Sequence, residues 1–298
     1  MIYKHLSVGS NKMSQDIKNE IHRIVFMGED AFSCVILNSL IDANYEVMLV
    51  VTPRYNNLIY KRLEMICSKN SIEFLRLDKI NSEFLRNRLT ELKPDLGVIA
   101  HFDRLIKSPI IETAKYGFIN LHPSLLPYYR GRAPQHWPII NGETEAGITV
   151  HFIDETADTG DIIVQRRFKI DNDLYVADLQ RIWLSNYKDI MLEAIDSVKL
   201  SAPTIKQSPT TGSYYDKPTS EDCTIKITDN VHHAYNLVRA MSLPYSGAKF
   251  GKYTIYKASI IDGHSFEKYQ KGICQDKDLG PILVLTDGAL QILKYKVE

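Results

Sequence analysis

Ile24-Val25-Phe26-Met27-Gly28 is an unbroken apolar run closed by a glycine. A run of this kind suits a strand buried on both faces that enters a tight turn. Just beyond it, Asp30 is placed to cap a helix reaching Ile41. Val47–Val51 repeats the buried-strand pattern. Residues 58–69 read as a helix, 72–76 as a third strand and 81–92 as another helix. Leu96–Ala100, which follows Lys93-Pro94-Asp95, reads as a fourth strand. This β-α-β-α-β-α-β alternation predicts an α/β domain, a Rossmann-like parallel sheet with helices on both faces. Its site should lie at the carboxyl ends of the strands. Gly28 leads into Glu29-Asp30-Ala31-Phe32, without the further glycines of a dinucleotide loop, so no NAD site is predicted.

Outward from this block, residues 1–20 read as an N-terminal extension. Residues 117–122, 147–153 and 162–170 read as further strands and 174–198 as a long helix, which extends the first domain over 21–200. Pro203, Pro209, Gly212 and Pro218, set among Ser and Thr, mark 201–222 as a linker. Beyond it, strands are expected at 223–228, 247–257, 281–286 and 289–296, with a helix near 230–241. Residues 223–298 therefore read as a small β-rich C-terminal domain, and the two terminal strands are candidates for pairing across a homodimer.

The whole chain agrees with two globular domains. It has 298 residues, 44% hydrophobic and 24% charged, and a single core stops growing near this length. Lys+Arg is 36 and Asp+Glu is 36, so the net charge is zero. Nucleic-acid binders usually carry a basic footprint, so no nucleic-acid partner is expected. Cys34, Cys67, Cys223 and Cys274 lie far apart without a C-x-x-C pair, which predicts free thiols and no metal site. No signal peptide and no membrane span are visible, so the expected location is the cytoplasm.

The segment 118–161 carries the chemistry. Asn120 and His122 are two apart, so on a strand both side chains point to one face. Pro123 stops the strand and puts the pair at its carboxyl end. Two polar groups ending an otherwise apolar strand break the local pattern, as functional positions tend to do. Asp158, in Glu155-Thr156-Ala157-Asp158-Thr159-Gly160, reaches His122 only through the fold. A carboxylate beside an imidazole fixes its tautomer and raises its pKa. Asn, His and Asp together suit acyl transfer. No Ser or Cys sits beside the base, so the nucleophile belongs to the substrate.

Asn120-Leu121-His122-Pro123-Ser124-Leu125-Leu126-Pro127, then Arg130-Gly131 and Asp158-Thr159-Gly160-Asp161, closely resembles the 10-formyltetrahydrofolate-dependent formyltransferases. The likeness spans residues 24–200 and includes Pro134, Trp137, Asn141-Gly142 and Gly147-Ile148-Thr149. It implies that Asn120, His122 and Asp158 are catalytic. It also implies that His101, Phe102, Arg104, Leu105, Ile106, Ile153 and Asp154 wall the pocket of the co-substrate 10-formyltetrahydrofolate. In such a reaction a substrate amine attacks the formyl carbon. The Asn120 amide and a His122 N–H would donate to the oxyanion, and His122 would shuttle the proton.

Three acceptor classes follow from the resemblance. The second domain argues against a glycinamide ribonucleotide enzyme. Lys217-Pro218, Asn236–Met241 and Pro244–Ala248 resemble the C-terminal domain that tRNA-acting and sugar-acting members share. The tRNA-acting enzymes carry a long basic, Gly-rich loop after the second strand. Here Val51-Thr52-Pro53-Arg54-Tyr55-Asn56-Asn57-Leu58 holds one Arg and no Gly. The resemblance therefore favours a nucleotide-linked amino sugar, such as a dTDP-4-amino-4,6-dideoxyhexose for surface polysaccharide. Methionyl-tRNA formyltransferase or a formyl-folate hydrolase are the alternatives. Arg130 and Arg132 are candidates for the substrate phosphates, and Tyr245 for stacking on a base.

Overall fold

A computed structural model describes residues 20–261, 266 and 269–298. The N-terminal extension falls outside these except for Glu20. In chain order the elements of the first domain are β1 (Arg23–Gly28), α1 (Ser33–Asp42), β2 (Glu46–Pro53), α2 (Lys61–Lys69), β3 (Glu73–Leu77), α3 (Glu83–Leu92) and β4 (Leu96–Ala100). There follow α4 (Ser108–Ile111), β5 (Phe118–His122), β6 (Arg130–Gly131), α5 (Trp137–Ile140), β7 (Glu145–Phe152), β8 (Ile162–Lys169) and α6 (Val176–Lys199). The remainder holds β9 (Tyr214–Tyr215), α7 (Val231–Met241), β10 (Ala248–Phe250), β11 (Tyr253–Ile260), β12 (Gly272–Asp276), β13 (Gly280–Val284) and β14 (Ala289–Val297).

The main sheet has the order β3-β2-β1-β4-β5-β7-β8. From β3 to β5 every pairing is parallel. At the β5–β7 pair the sheet turns antiparallel, and β8 continues that way. Side-chain alternation builds a core on each face. From β1, Ile24 and Phe26 join a core that holds Leu37, Leu40, Trp183, Tyr187 and Ile190 of α1 and α6. Val25 and Met27 join the opposite core, with Leu85 and Leu89 of α3 and Ile110 of α4. Strands covered on both faces read as continuous apolar runs, which is why β1, β2 and β4 stood out in the sequence.

The antiparallel turn has a consequence for the site. It brings His151 of β7 directly opposite Asn120 of β5, a juxtaposition that an all-parallel sheet would not make.

The smaller sheet has the order β10-β11-β14-β13-β12 and is antiparallel throughout. Two readings of this region are corrected. Residues 223–228 shrink to a single parallel bridge from Thr224 to Lys249 of β10. On either side Asp222 accepts from the Thr219 N–H and Asp229 from the Lys226 N–H at 2.7–2.8 Å, and these side-chain bonds turn the backbone. The stretch 247–257 is two strands, because Gly251 at φ 56° turns β10 back into β11. The terminal strands β13 and β14 lie inside the sheet, β14 between β11 and β13, but β14 pairs with β13 only over Ala289–Gln291.

The segment 201–222 is bound to the first domain rather than free of it. Ile205 exchanges backbone bonds with Ile162 at 2.8–2.9 Å, and β9 pairs with β6. Two residues of a strand offered no periodicity to read.

Candidate active site

Asn120 and His122 end β5 on one face, beneath a cleft of about 710 Å³ at the carboxyl ends of the parallel strands. Asp158 reaches them from the loop between β7 and β8. Its Oδ1 lies 3.6 Å from His122 Nδ1 and accepts from Asn120 Nδ2 at 3.4 Å. The fold thus brings the three predicted residues together.

Each ring has a fixed tautomer. His122 Nε2 is 2.8 Å from the Tyr129 carbonyl, which can only accept, so Nε2 carries a proton. Nδ1 is then the nitrogen facing Asp158 and the cleft. Neutral His122 therefore presents a lone pair there, not the N–H donor that the sequence suggested. Burial depresses the His122 pKa, and the Asp158 charge and the Tyr129 carbonyl only partly oppose it. For Asp158, burial alone would raise the pKa. The facing His122 and His151 rings and the Gly131 N–H, 2.8 Å from Oδ2, outweigh it and hold the carboxyl well below the usual carboxylate range.

His151, which the sequence reading passed over, is the fourth member of the cluster. It is 2% exposed. Its Nδ1 donates to the Phe152 carbonyl at 2.7 Å, so Nε2 accepts from Asn120 Nδ2 at 3.2 Å and lies 3.5 Å from Asp158. A signal was present: a histidine inside Ile148-Thr149-Val150-His151-Phe152 breaks an apolar run just as Asn120 and His122 do. Without the β5–β7 register nothing connected it to them.

Asp158 sits at φ 57° in the left-handed region. The loop is held there partly because Gly160 packs against the backbone of β7. A Cβ on Gly160 would fall 1.8 Å from the Phe152 carbonyl oxygen. Gly160→Ala is therefore expected to displace the Asp158 loop, cost roughly 2 kcal/mol of stability and remove most activity. Thermal unfolding and a turnover assay read the two effects separately.

The residues named for the pocket wall, His101, Phe102, Arg104, Leu105, Ile106, Ile153 and Asp154, all line this cleft. Phe102, Ile106 and Ile153, with Ile99, give it an apolar side that continues into the core around α3 and α4. His101 has both ring nitrogens engaged, Nε2 with the Tyr187 hydroxyl at 2.8 Å and Nδ1 with Asp30 at 3.4 Å, and it stacks on Phe32. Asp154 organises its own loop by accepting from the Thr156 N–H at 3.0 Å and the Thr159 hydroxyl at 2.6 Å.

The named substrate-side residues divide. Arg132 lines the cleft, half exposed, with long 3.4 Å contacts to Asp103 and Asp216. Arg130 does not reach the cleft. It is 3% exposed, and its guanidinium donates to Gln207 Oε1 at 2.8 and 3.2 Å. Tyr245 does not reach it either, because its ring packs edge-on against His136 and its hydroxyl accepts from Gln135 and Gln180 between the domains. The tyrosines at the cleft are Tyr214, 55% exposed, and Tyr215, which stacks on Tyr129 and meets Trp137 at a tilt.

The mouth beside β1, β2 and β4 is acidic. The Tyr55 hydroxyl bridges Glu29 at 2.5 Å and Asp103 at 2.7 Å, and burial raises the Glu29 pKa. Among the described residues no cluster of His, Cys, Asp and Glu could hold a metal ion, and no helix is long and apolar enough to cross a membrane.

An α/β fold with an Asn–His–Asp cluster at the strand ends and a β-rich second domain defines the class. The formyl transferase family profile matches residues 22–195, and that of the formyl transferase C-terminal domain matches 217–298. The chain belongs to the formyl transferase family and is a formyltransferase. A methionyl-tRNA formyltransferase of Clostridium acetobutylicum is 31% identical over 92% of this chain and 91% of its own length. A sugar 3-N-formyltransferase, solved in the presence of dTDP and 5-N-formyl-THF, has a TM-score of 0.68 and 22% identity, covering 93% of this chain and 98% of that one. An N-formyltransferase of Helicobacter canadensis, solved with folinic acid and dTDP-3-aminofucose, has a TM-score of 0.71 and 22% identity, covering 93% and 100%. These two likenesses show the shared fold.

Proposed function

We propose that this formyltransferase moves the formyl group of 10-formyltetrahydrofolate to the amine of a nucleotide-linked amino sugar, with a dTDP-4-amino-4,6-dideoxyhexose as the favoured acceptor. The apolar side at Ile99, Phe102, Ile106 and Ile153, next to the polar cluster, suits a flat pterin with its formyl group directed at Asn120. The folate supplies an activated formyl carbon, and the remaining work falls to the chain. The two Nδ2 hydrogens of Asn120 go to His151 and Asp158. The 3.4 Å contact with Asp158 is the weaker and is the one a formyl oxygen replaces, so that Asn120 stabilises the developing charge. His122 Nδ1 takes the proton of the attacking amine. The imidazolium is then held between the Asp158 carboxylate and the Tyr129 carbonyl until it returns the proton to the leaving nitrogen.

The acidic mouth carries the choice of acceptor. Residues 54–60, between β2 and α2, hold a single Arg, and that Arg54 faces Asp78 at 3.7 Å. Glu29, Asp30 and Asp103 line the adjoining cleft. A nucleic-acid backbone would meet repulsion here, where its affinity depends on cations. Arg132, beside Asp103, and Lys217 also line the cleft and suit a diphosphate, and the exposed Tyr214 ring suits a base. A cytoplasmic location fits a nucleotide-sugar substrate.

A second reading, methionyl-tRNA as acceptor, has its own support in the 31% identical relative and in the second domain. There Lys249, Lys252, Lys257, Lys294 and Lys296 lie exposed on and beside β10, β11 and β14, among Tyr253, Tyr256 and Tyr295. Tetrahydrofolate release, followed by absorbance with 10-formyltetrahydrofolate, decides between them. Turnover is expected with one amino sugar of a nucleotide-linked panel and not with methionyl initiator tRNA. Turnover with tRNA alone sinks the sugar reading, and formate release without any amine makes the enzyme a hydrolase.

A further inference from the structure

Gln207, in the connection between the two domains, uses every hydrogen-bonding position of its amide. Oε1 accepts from Arg130 Nε at 3.2 Å and Nη2 at 2.8 Å. Nε2 donates to the Asp158 carbonyl at 2.9 Å and the Gly160 carbonyl at 2.7 Å. The amide's orientation follows from chemistry, because a guanidinium only donates and a backbone carbonyl only accepts. These bonds close a ring. Asp158 is held at its backbone by Gln207, Gln207 holds Arg130, and the next residue, Gly131, returns its N–H to the Asp158 carboxylate at 2.8 Å. Asp158 is thereby fixed at both ends, in a left-handed conformation with φ 57° that needs external support.

We propose that Gln207 is a positioning residue for formyl transfer, which sets the distance between the Asp158 carboxylate and His122 Nδ1. It touches neither His122 nor the cleft, and it acts through the backbone of residues 158–160. The segment joining the domains therefore carries part of the machinery of the first. The inference rests on the roles proposed above for His122 and Asp158, and not on which amine is the acceptor.

Two variants separate positioning from simple support of Arg130. Gln207→Glu keeps an acceptor for the guanidinium but loses both N–H donors and turns an anion toward two carbonyls. Gln207→Met is similar in shape and keeps neither. Positioning predicts that both lower kcat by about 100-fold, the scale of a displacement near 1 Å, while the KM for the folate stays put and each variant, though it melts lower than the parent, is folded at the assay temperature. Gln207→Met should also move the His122 titration, followed by NMR of the imidazole signals, to lower pH, because the carboxylate that raises it has drifted. Ser208→Ala, on the exposed neighbour, serves as the control with unchanged kcat. Parental kcat in Gln207→Glu, or an unmoved His122 titration in a folded Gln207→Met, overturns the proposal. The NMR arm needs no acceptor, so it is decided even if no amino sugar turns over; that result would count against the acceptor assignment alone.

Discussion

His122→Gln is expected to lower kcat by about 10³-fold, within the usual range for a lost general base, and to leave the fold intact. Glutamine is chosen because its Nε2 can keep the bond to the Tyr129 carbonyl, which His122 Nε2 makes at 2.8 Å, while nothing replaces Nδ1. The proton of the attacking amine then has no acceptor beside Asp158. The pH dependence supplies the sharper test. The neutral ring is the active form, and burial lowers its pKa, so the parent should keep activity below pH 6.5, the ordinary histidine midpoint. Its acid limb belongs to His122, and the residual activity of the variant should be flat through that limb. A limb that persists unchanged in His122→Gln would assign the titration to another group.

Stability follows the same ring with the sign worked out. His122 has a folded pKa below its unfolded one. Its contribution is therefore fully present above the unfolded value and is lost as pH falls toward the folded value, because the unfolded chain binds the proton first. His136, buried against the Ala240 carbonyl, shifts the same way. The melting temperature of the parent should fall from pH 6.5 downward. His122→Gln should flatten that slope in part, with His136 supplying what remains.

The sequence discloses the parts of this molecule that repeat a period. The strands β1, β2 and β4 are apolar because both faces are covered, and the helices between them show their turns. Asn120 and His122 were legible as polar breaks at a strand's end. His151 shows the same break, but its meaning depends on the antiparallel β5–β7 register, a long-range fact that no local pattern encodes. Arg130 misled because a charged residue in a loop ordinarily faces water; here Gln207 and the ring of Tyr214, 5.3 Å away, let it be buried. Gln207 itself sits in a Pro- and Ser-rich stretch without periodicity. Composition describes how freely such a segment can bend, not where its side chains are caught.

Asp158→Asn is expected to cost about 10³–10⁴ in kcat, the scale on which a histidine base suffers when its counter-charge is removed, with little change in stability. Asparagine tolerates the left-handed backbone at φ 57°, and its amide oxygen can still accept the Gly131 N–H. The loss is therefore electrostatic. The amide presents N–H groups to His122 Nδ1, where it caps the lone pair that must receive the proton. It also faces the Asn120 amide, donor against donor, where a 3.4 Å bond to the carboxylate used to be. An imidazolium formed there has no anion within reach, so the His122 titration moves further down. Asp158→Ala removes the same charge without adding donors, but a Cβ-only side chain in that conformation has no local hydrogen bond to compensate, at a cost of about 1 kcal/mol. The pair of variants separates the two roles of the residue: both lose activity, and only the alanine form melts lower. If Asp158→Asn retained activity within about tenfold, the carboxylate would be an anchor for the Gly131 loop and His122 would work without it.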